Sequence, residues 1–290
     1  IINLPFNVFI DAYVDTAIYF LRNISLDYYK IHSYDKKADH NELKSVRFTK
    51  ISKDLILKPS YKIILNPLVF QIIKRTKDEN FVSLGDISIS TQGLSPSRFK
   101  KTKEITSDYS FPYLSSGNVY NYTLIIKEKY TTSLEDKKSL IPFYKKEEKI
   151  LIRRIINRQD RLSVGFTNKK MVFKKDINPF IITDDSFFTK YILAILASKF
   201  ISYLYVNISA IALKNDFRQT TLTELRAIPI PKIELEKQSY IVSLVDQILS
   251  LKKQDPSADT SALEAEIDGL VYGLYGLTEE EVGVVEGNSP

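Results

Sequence analysis

The sequence predicts an α+β fold: a mixed-sheet domain with packed helices and a C-terminal helical hairpin, preceded by a strand pair. Three observations carry that prediction. From Phe81 to Ile182 the apolar runs are short and end at the turn clusters Gly93–Pro96, Ser115–Asn118 and Asn157–Arg161, as strands joined by tight turns require. From Ser186 onward the apolar spacing changes to the period of helices. The two kinds of element are segregated along the chain, which distinguishes this class from a doubly wound sheet.

Each element follows from its local pattern. Residues 1–30 read as two strands, Ile1 to Phe9 and Ala12 to Leu21, linked tightly at Ile10-Asp11. Residues 31–80 form a connector, polar and lysine-rich at first, then a helix that opens with Pro67 in its first turn, where proline is tolerated. Strands are expected at Ile87–Thr91, Tyr122–Ile126, Ile150–Ile155, Leu162–Thr167, Met171–Phe173 and Phe180–Ile182. One apolar helix should run from Ser186 to Val206. Past an Ile-Pro-Ile-Pro segment, Ile241, Leu244, Val245, Ile248 and Leu251 line one helix face. A second helix should be capped by Ser261 with Glu264 three residues on. Gln254–Asp259, with Pro256, turns the chain between the two, and Thr278 opens a last short helix. The organisation is thus 1–30, a connector 31–80, a mixed-sheet domain 81–232, and a hairpin and tail 233–290.

Bulk properties narrow the function. The chain has 290 residues and a net charge of +6, with no cysteine and only two histidines, which leaves no disulfide framework, thiolate zinc site or cysteine nucleophile. No apolar run nears the ~20 residues of a membrane span, and no secretion signal opens the chain, so the expected compartment is the cytoplasm. Ile1 lies in a strand-like run and the only methionine is Met171, so a fragment of a longer protein is expected.

Charge is unevenly spread. Phe81 to Phe180 holds 19 Lys/Arg against 10 Asp/Glu, and Pro231 to Pro290 holds 4 against 12. A basic middle beside an acidic tail suits a polyanion surface next to a separate scaffold. Tyr109, Phe111, Tyr113, Tyr120, Tyr122, Tyr130, Phe143 and Tyr144 interleave with the basic residues, as nucleic-acid surfaces often require.

Candidate contacts fall in four places. Arg153, Arg154, Asn157, Arg158, Gln159 and Arg161 sit on or beside a loop between two apolar runs; arginine pairs in a fork with guanine, and asparagine or glutamine with adenine, in the major groove. Ser95, Arg98, Lys100 and Lys101 make a polar, basic turn. Ser116, Gly117 and Asn118 make a Gly-Asn turn whose N–H groups and hydroxyls suit phosphate. Lys214, Asn215 and Arg218 read as a phosphate clamp, giving affinity that falls with salt. No catalytic motif is found: Asn66-Pro67-Leu68 and Asn178-Pro179-Phe180 lack a second proline, and no phosphate-cradling glycine loop exists. Asp136, Glu147 and Lys149 trace a nuclease-like spacing, expected to decorate a solvated loop and strand start. No metal site is expected.

Three stretches resemble a known family. Leu4-Pro-Phe-Asn-Val-Phe-Ile-Asp-Ala-Tyr-Val-Asp-Thr-Ala-Ile-Tyr-Phe-Leu21 resembles the last strand pair of the catalytic domain in TaqI-like N6-adenine methyltransferases. Ala212 to Gln238 is similar to the exit from a target-recognition domain. Ile267-Asp-Gly-Leu-Val-Tyr-Gly-Leu-Tyr-Gly-Leu-Thr-Glu-Glu-Glu-Val282 resembles the end of type IIG restriction-modification enzymes. The resemblance implies the final strand pair of a methyltransferase domain, followed by a module that reads double-stranded DNA. It implies an upstream methyltransferase domain of the same protein that uses S-adenosylmethionine. By match to the family it implies that Phe9, with Phe6 second, stacks on the flipped adenine, since a flipped base needs an aromatic or apolar sandwich. Two other readings stay open: a type I specificity subunit, and a protein-interaction scaffold with an incidental basic surface.

Overall fold

The computed structural model describes every residue except 6–7, 10–15, 35–37, 40–44, 54–65, 96–99, 107, 109, 115–117, 126–130, 135–137, 210, 213–217 and 288–290. It holds two compact units, Ile1–Arg75 and Thr76–Ala212 with Arg218–Pro290.

In the first unit a four-stranded sheet has the order β2-β1-β3-β4, built from β1 (Ile2–Asn3), β2 (Ala17–Ile18), β3 (Tyr28–Ser33) and β4 (Thr49–Ser52). β1 runs parallel to β3 and antiparallel to β2. The two long strands expected over 1–30 are therefore two short ones, and their expected link at Ile10-Asp11 lies outside the described residues. β3 straddles the boundary expected at residue 30 and β4 lies wholly in the expected connector, with Ile31 and Ile51 buried. Helix α1 (Pro67–Arg75) begins as the sequence indicates. Asn66 precedes it and accepts from the N–H groups of Leu68 and Val69 at 3.0 and 3.3 Å, which satisfies two donors a helix start leaves open.

The second unit is built on two four-stranded sheets. One has the order β13-β12-β15-β6, from β6 (Ser88–Ser90), β12 (Glu148–Arg153), β13 (Val164–Asn168) and β15 (Ile177–Ile182), all antiparallel. Ile150, Leu151 and Ile152 are all fully buried: β12 is covered on both faces and so reads as an unbroken apolar run. The other sheet has the order β14-β8-β11-β7, from β7 (Lys100–Thr102), β8 (Ser110–Leu114), β11 (Thr131–Ser133) and β14 (Val172–Phe173). Phe111, Tyr113, Leu151, Val172, Phe173 and Ile177 share one apolar cluster that joins the sheets. A hairpin of β9 (Val119–Tyr120) and β10 (Thr123–Leu124) lies beside β13, and helix α2 (Ile141–Lys145) leads into β12.

Helices cover the β12 sheet. The single helix expected over Ser186–Val206 is two, α3 (Thr189–Ala197) and α4 (Lys199–Ile208), bent by 64° at Ser198. The Ser198 hydroxyl donates to the Ile195 carbonyl at 2.7 Å and accepts from Ile201 N–H at 3.2 Å. It ends one helix and caps the next, the local competition with backbone bonding that serine is prone to. Among the described residues no single helix is long and apolar enough to cross a membrane; α3 and α4 together have the length and composition, but most of their apolar side chains are buried in the core.

The Ile-Pro-Ile-Pro segment becomes β16 (Pro229–Pro231) after the short helix α5 (Leu222–Arg226), and pairs antiparallel with β5 (Phe81–Ser83), the first strand of this unit. Two buried tyrosines fasten it: Tyr191 donates to the Pro231 carbonyl at 2.9 Å and Tyr275 to that of Pro229 at 2.5 Å. α6 (Leu235–Gln254) and α7 (Ser261–Leu274) form the expected hairpin, followed by α8 (Glu279–Val285) with a full Thr278–Glu281 capping box. The start of α7 differs by one residue: Thr260 is the cap position, its hydroxyl donating to Glu264 at 2.7 Å.

Candidate nucleic-acid interface

Five segments of the chain meet at one end of the β12 sheet. β12 ends at Arg153, which stands opposite Ile177, the first residue of β15, and β13 begins at Val164 opposite Ile152. The loop between β12 and β13 and the turn between β14 and β15 therefore share this end. β6 runs into it too: Gly93 donates to the Ile177 carbonyl at 3.1 Å, and Leu94 bridges to Lys174. The fourth segment follows Arg218. Ile156 donates to the Arg218 carbonyl at 3.1 Å, Thr220 to that of Arg154 at 2.7 Å, and Ile155 bridges to Gln219. β8 also ends here, since Leu114 pairs with Phe173.

The β12–β13 loop is folded on Asn157. Its side-chain oxygen accepts from the N–H groups of Gln159 at 3.0 Å and Arg161 at 2.9 Å, and its N–H donates to the Arg161 carbonyl at 3.3 Å. This is the backbone-mimicking turn that asparagine favours. Asp160 takes a left-handed φ of 60° to close it, a conformation aspartate tolerates.

The predicted site residues take different roles here. Arg153 is half-buried and Arg158 and Gln159 are exposed; the side chains of all three make no hydrogen bond or ion pair with other described residues. Arg154 is half-buried beneath the loop, its Nε without a partner among the described residues. Arg161 points inward: Nη2 donates to the Ala197 carbonyl at 2.8 Å, at the end of α3. Arg218 is drawn into the loop, Nε donating to the Ala212 carbonyl at 2.9 Å and Nη1 pairing with the Asp160 carboxylate. Ser95 is half-buried beside Leu94, and Asn118 is buried. Lys100 and Lys101 lie on the edge strand β7, where Lys100 is level with Ser110 through β11, the end of β8 away from Leu114. They are not brought to the cluster. Phe9 is 58% exposed in the first unit. Arg98, Ser116, Gly117, Lys214 and Asn215 lie outside the described residues.

Lys149 departs from its expected solvated position. It is fully buried at the opposite end of β12, its ammonium donating to the carbonyls of Tyr144 at 3.4 Å, Lys169 at 3.2 Å and Lys146. Burial pushes its pKa down to about 8, partly offset by Glu147. Glu147 pairs at 3.7 Å with exposed Lys170, so Glu147 and Lys149 serve the turn rather than a shared site. Among the described residues no cluster of His, Cys, Asp or Glu could hold a metal.

The geometry adds residues that the sequence reading passes over: Asp160, Gln219 and the pair Lys174-Lys175. Lys174-Lys175-Asp176 carries no glycine or proline, so its turn is marked only by the short apolar runs on either side.

Residues 111–230 match the TaqI-like C-terminal specificity domain. The chain is 37% identical over 95% of its length to a protein of Methanocaldococcus jannaschii named as a type II restriction enzyme and methyltransferase. The chain spans 24% of that relative's length. Among solved structures it is similar to the type IIL restriction-modification enzyme MmeI, solved in complex with DNA, with a TM-score of 0.52 and 10% identity over 91% of this chain and 41% of that one. The type IIG restriction endonuclease BpuSI gives a TM-score of 0.46 at 12% identity, over 88% and 40%. The expected α+β class agrees with the likeness to MmeI, and the expected TaqI-like resemblance with the match over residues 111–230 and with the Methanocaldococcus jannaschii relative.

Proposed function

We propose that this chain is the sequence-reading module of a restriction-modification N6-adenine methyltransferase of type IIG character, and that it positions a linked catalytic domain on its target site. The observation that carries the reading is the convergence of the β12–β13 loop, with Arg153, Arg158 and Gln159 unengaged, on one end of a sheet whose strand β12 is fully buried at Ile150, Leu151 and Ile152, within a specificity domain. A folded loop that presents arginine and glutamine can read base edges with little ordering cost. The backbone of 218–220 and the β14–β15 turn brace it from both sides. On this reading the linked domain holds S-adenosylmethionine and transfers its methyl group to adenine N6, and no residue of this chain is assigned to the cofactor. Phe9, being exposed, is assigned the stacking position beside the flipped base. The place of action is the cytoplasm, where the substrate is double-stranded DNA.

Selection of bound duplexes from a randomised pool, at low and moderate salt, tests the proposal. An enriched motif of a few base pairs supports it. Salt-sensitive binding without a motif limits the chain to clamping, and absence of binding at both salts overturns the reading in favour of a scaffold.

A further inference from the structure

We propose that the β14–β15 turn, through Lys174 and Lys175, is a phosphate-contacting element that sets the register of the duplex against the reading loop. The proposal rests on the DNA-reading function argued above. Nothing in the sequence singles this turn out; its position in the fold does. The turn lies between Leu94 on one side and Arg154 on the other, and is tied to both by backbone. Leu94 donates to the Phe173 carbonyl at 3.0 Å and Lys175 to that of Leu94 at 2.8 Å. Ile177 donates to Lys174 at 3.0 Å, closing the turn, and Arg154 to Asp176 at 2.7 Å. Gly93 completes the seat: a Cβ there would stand 2.0 Å from the Lys174 carbonyl oxygen, so only glycine lets the two backbones meet so closely.

The side chains are placed for an outside partner. Lys174 is half-buried and Lys175 exposed, and neither forms an ion pair or hydrogen bond through its ammonium with another described residue. The adjoining acid is Asp176, half-buried in the same turn. Contacts to phosphate fix orientation without carrying sequence information, and they do so best from backbone that is already ordered. A turn closed by its own bond and held by three more to its neighbours, one of them to the base of the reading loop, transmits that orientation directly to Arg153 and Arg158.

The same sheet supplies its own control. β12 and β13 carry a second basic cluster at their other end, where Glu148 pairs with Asn168 and Lys169 and Lys170 follow. Both clusters raise the net charge equally, but only one adjoins the loop.

The test compares, in the full chain, Lys174→Ala/Lys175→Ala with Lys169→Ala/Lys170→Ala. The probes are a duplex bearing the selected motif and one of scrambled sequence, across a salt series. The first variant should weaken binding to both duplexes by roughly tenfold and lower the log–log salt slope by about 2, leaving the ratio between duplexes unchanged. Lys174→Arg/Lys175→Arg should restore both. The second variant should bind as the unsubstituted chain does. Equal weakening by the two variants would overturn the proposal in favour of diffuse charge, and so would unchanged binding by the first. Failure of the unsubstituted chain to bind any duplex would remove the DNA-reading function itself, which separates the two failures. Thermal melting of the first variant, expected to match that of the unsubstituted chain, shows that a loss of binding is not a loss of fold.

Discussion

Arg161 donates from Nη2 to the carbonyl oxygen of Ala197 at 2.8 Å, so a residue of the β12–β13 loop closes the C-terminus of α3. Asn121 approaches the same carbonyl at 3.4 Å. A guanidinium there meets the negative end of the helix, and it also faces the buried Asp268 of α7, whose carboxyl burial pushes above its ordinary range while the Lys199 N–H and Arg161 pull it back. Arg161 thus anchors the β12–β13 loop to the helical layer.

Arg161→Ala is therefore expected to act on stability first. Loss of a charge-assisted bond at a covered site costs about 1.5–3 kcal/mol, read as a lower urea midpoint with an unchanged slope. At temperatures where the variant remains folded, its base preference should persist; a relaxed preference with unchanged stability would mean that Arg161 reads DNA.

Arg158 should behave in the opposite way. It is exposed and unengaged, so Arg158→Ala should leave the urea midpoint in place while reducing discrimination at one base pair by about 1–3 kcal/mol. Asn157→Ala separates the two roles: it removes the acceptor for two loop N–H groups, and should cost about 1 kcal/mol per bond in stability as well as blurring preference. Binding titrations on single-base variants of the selected motif decide these outcomes.

These contrasts also show what was legible. Ile150, Leu151 and Ile152 announced β12, and the spacing of Ile241, Leu244, Val245 and Ile248 announced α6, because burial leaves its period in composition. β8 was missed because Pro112 interrupts it, and proline argues against an interior strand; in the fold it lies between β14 and β11. The reading loop was legible as a loop, but not its internal bonding. Asparagine serves equally as a base reader and as a turn former, and only the backbone path puts Asn157 in the second role. Nor could composition pair Arg218 with Asp160, since that contact depends on 218–220 returning alongside Arg154.

Asp160 pairs its carboxylate with the Arg218 guanidinium, and on the proposed reading it competes there with a DNA phosphate. Asp160→Asn keeps a side chain that tolerates the left-handed backbone and removes the competing charge. Affinity for all duplexes should rise, with a salt slope steeper by up to about 0.9 and an unchanged motif. Weaker binding would show that Asp160 holds Arg218 in its working position.

Lys149 gives a prediction in pH. Its pKa is pushed down to about 8 by burial, from an ordinary 10.5. Below pH 8 both folded and unfolded chains hold the proton and the cost of burying charge is fully present. Between 8 and 10.5 the unfolded chain binds a proton that the folded chain does not, so stability should rise with pH, by at most about 1.4 kcal/mol per unit. Buried tyrosines such as Tyr144 and Tyr191, whose pKa values burial raises, oppose this once free tyrosine ionises near 10. Urea unfolding between pH 8 and about 9.5 should show the rise, and Lys149→Met should abolish it.

Gly93 provides the severest test of how the site is assembled. A methyl group there would meet the Lys174 carbonyl oxygen and carbon at 2.0 and 2.4 Å, and both belong to backbone that cannot swing aside as a side chain can. Gly93→Ala must separate β6 from the β14–β15 turn, breaking the Gly93–Ile177, Leu94–Phe173 and Lys175–Leu94 bonds together. The expected cost exceeds the ~1–3 kcal/mol of ordinary overpacking, and duplex binding should fall even at temperatures where the helical layer stays folded by circular dichroism. Gly269 stands in open space on α7, so Gly269→Ala should instead stabilise by up to about 1 kcal/mol. If the two alanine variants proved equally stable, the close crossing at Lys174 would be wrong, and with it the bracing of the reading loop.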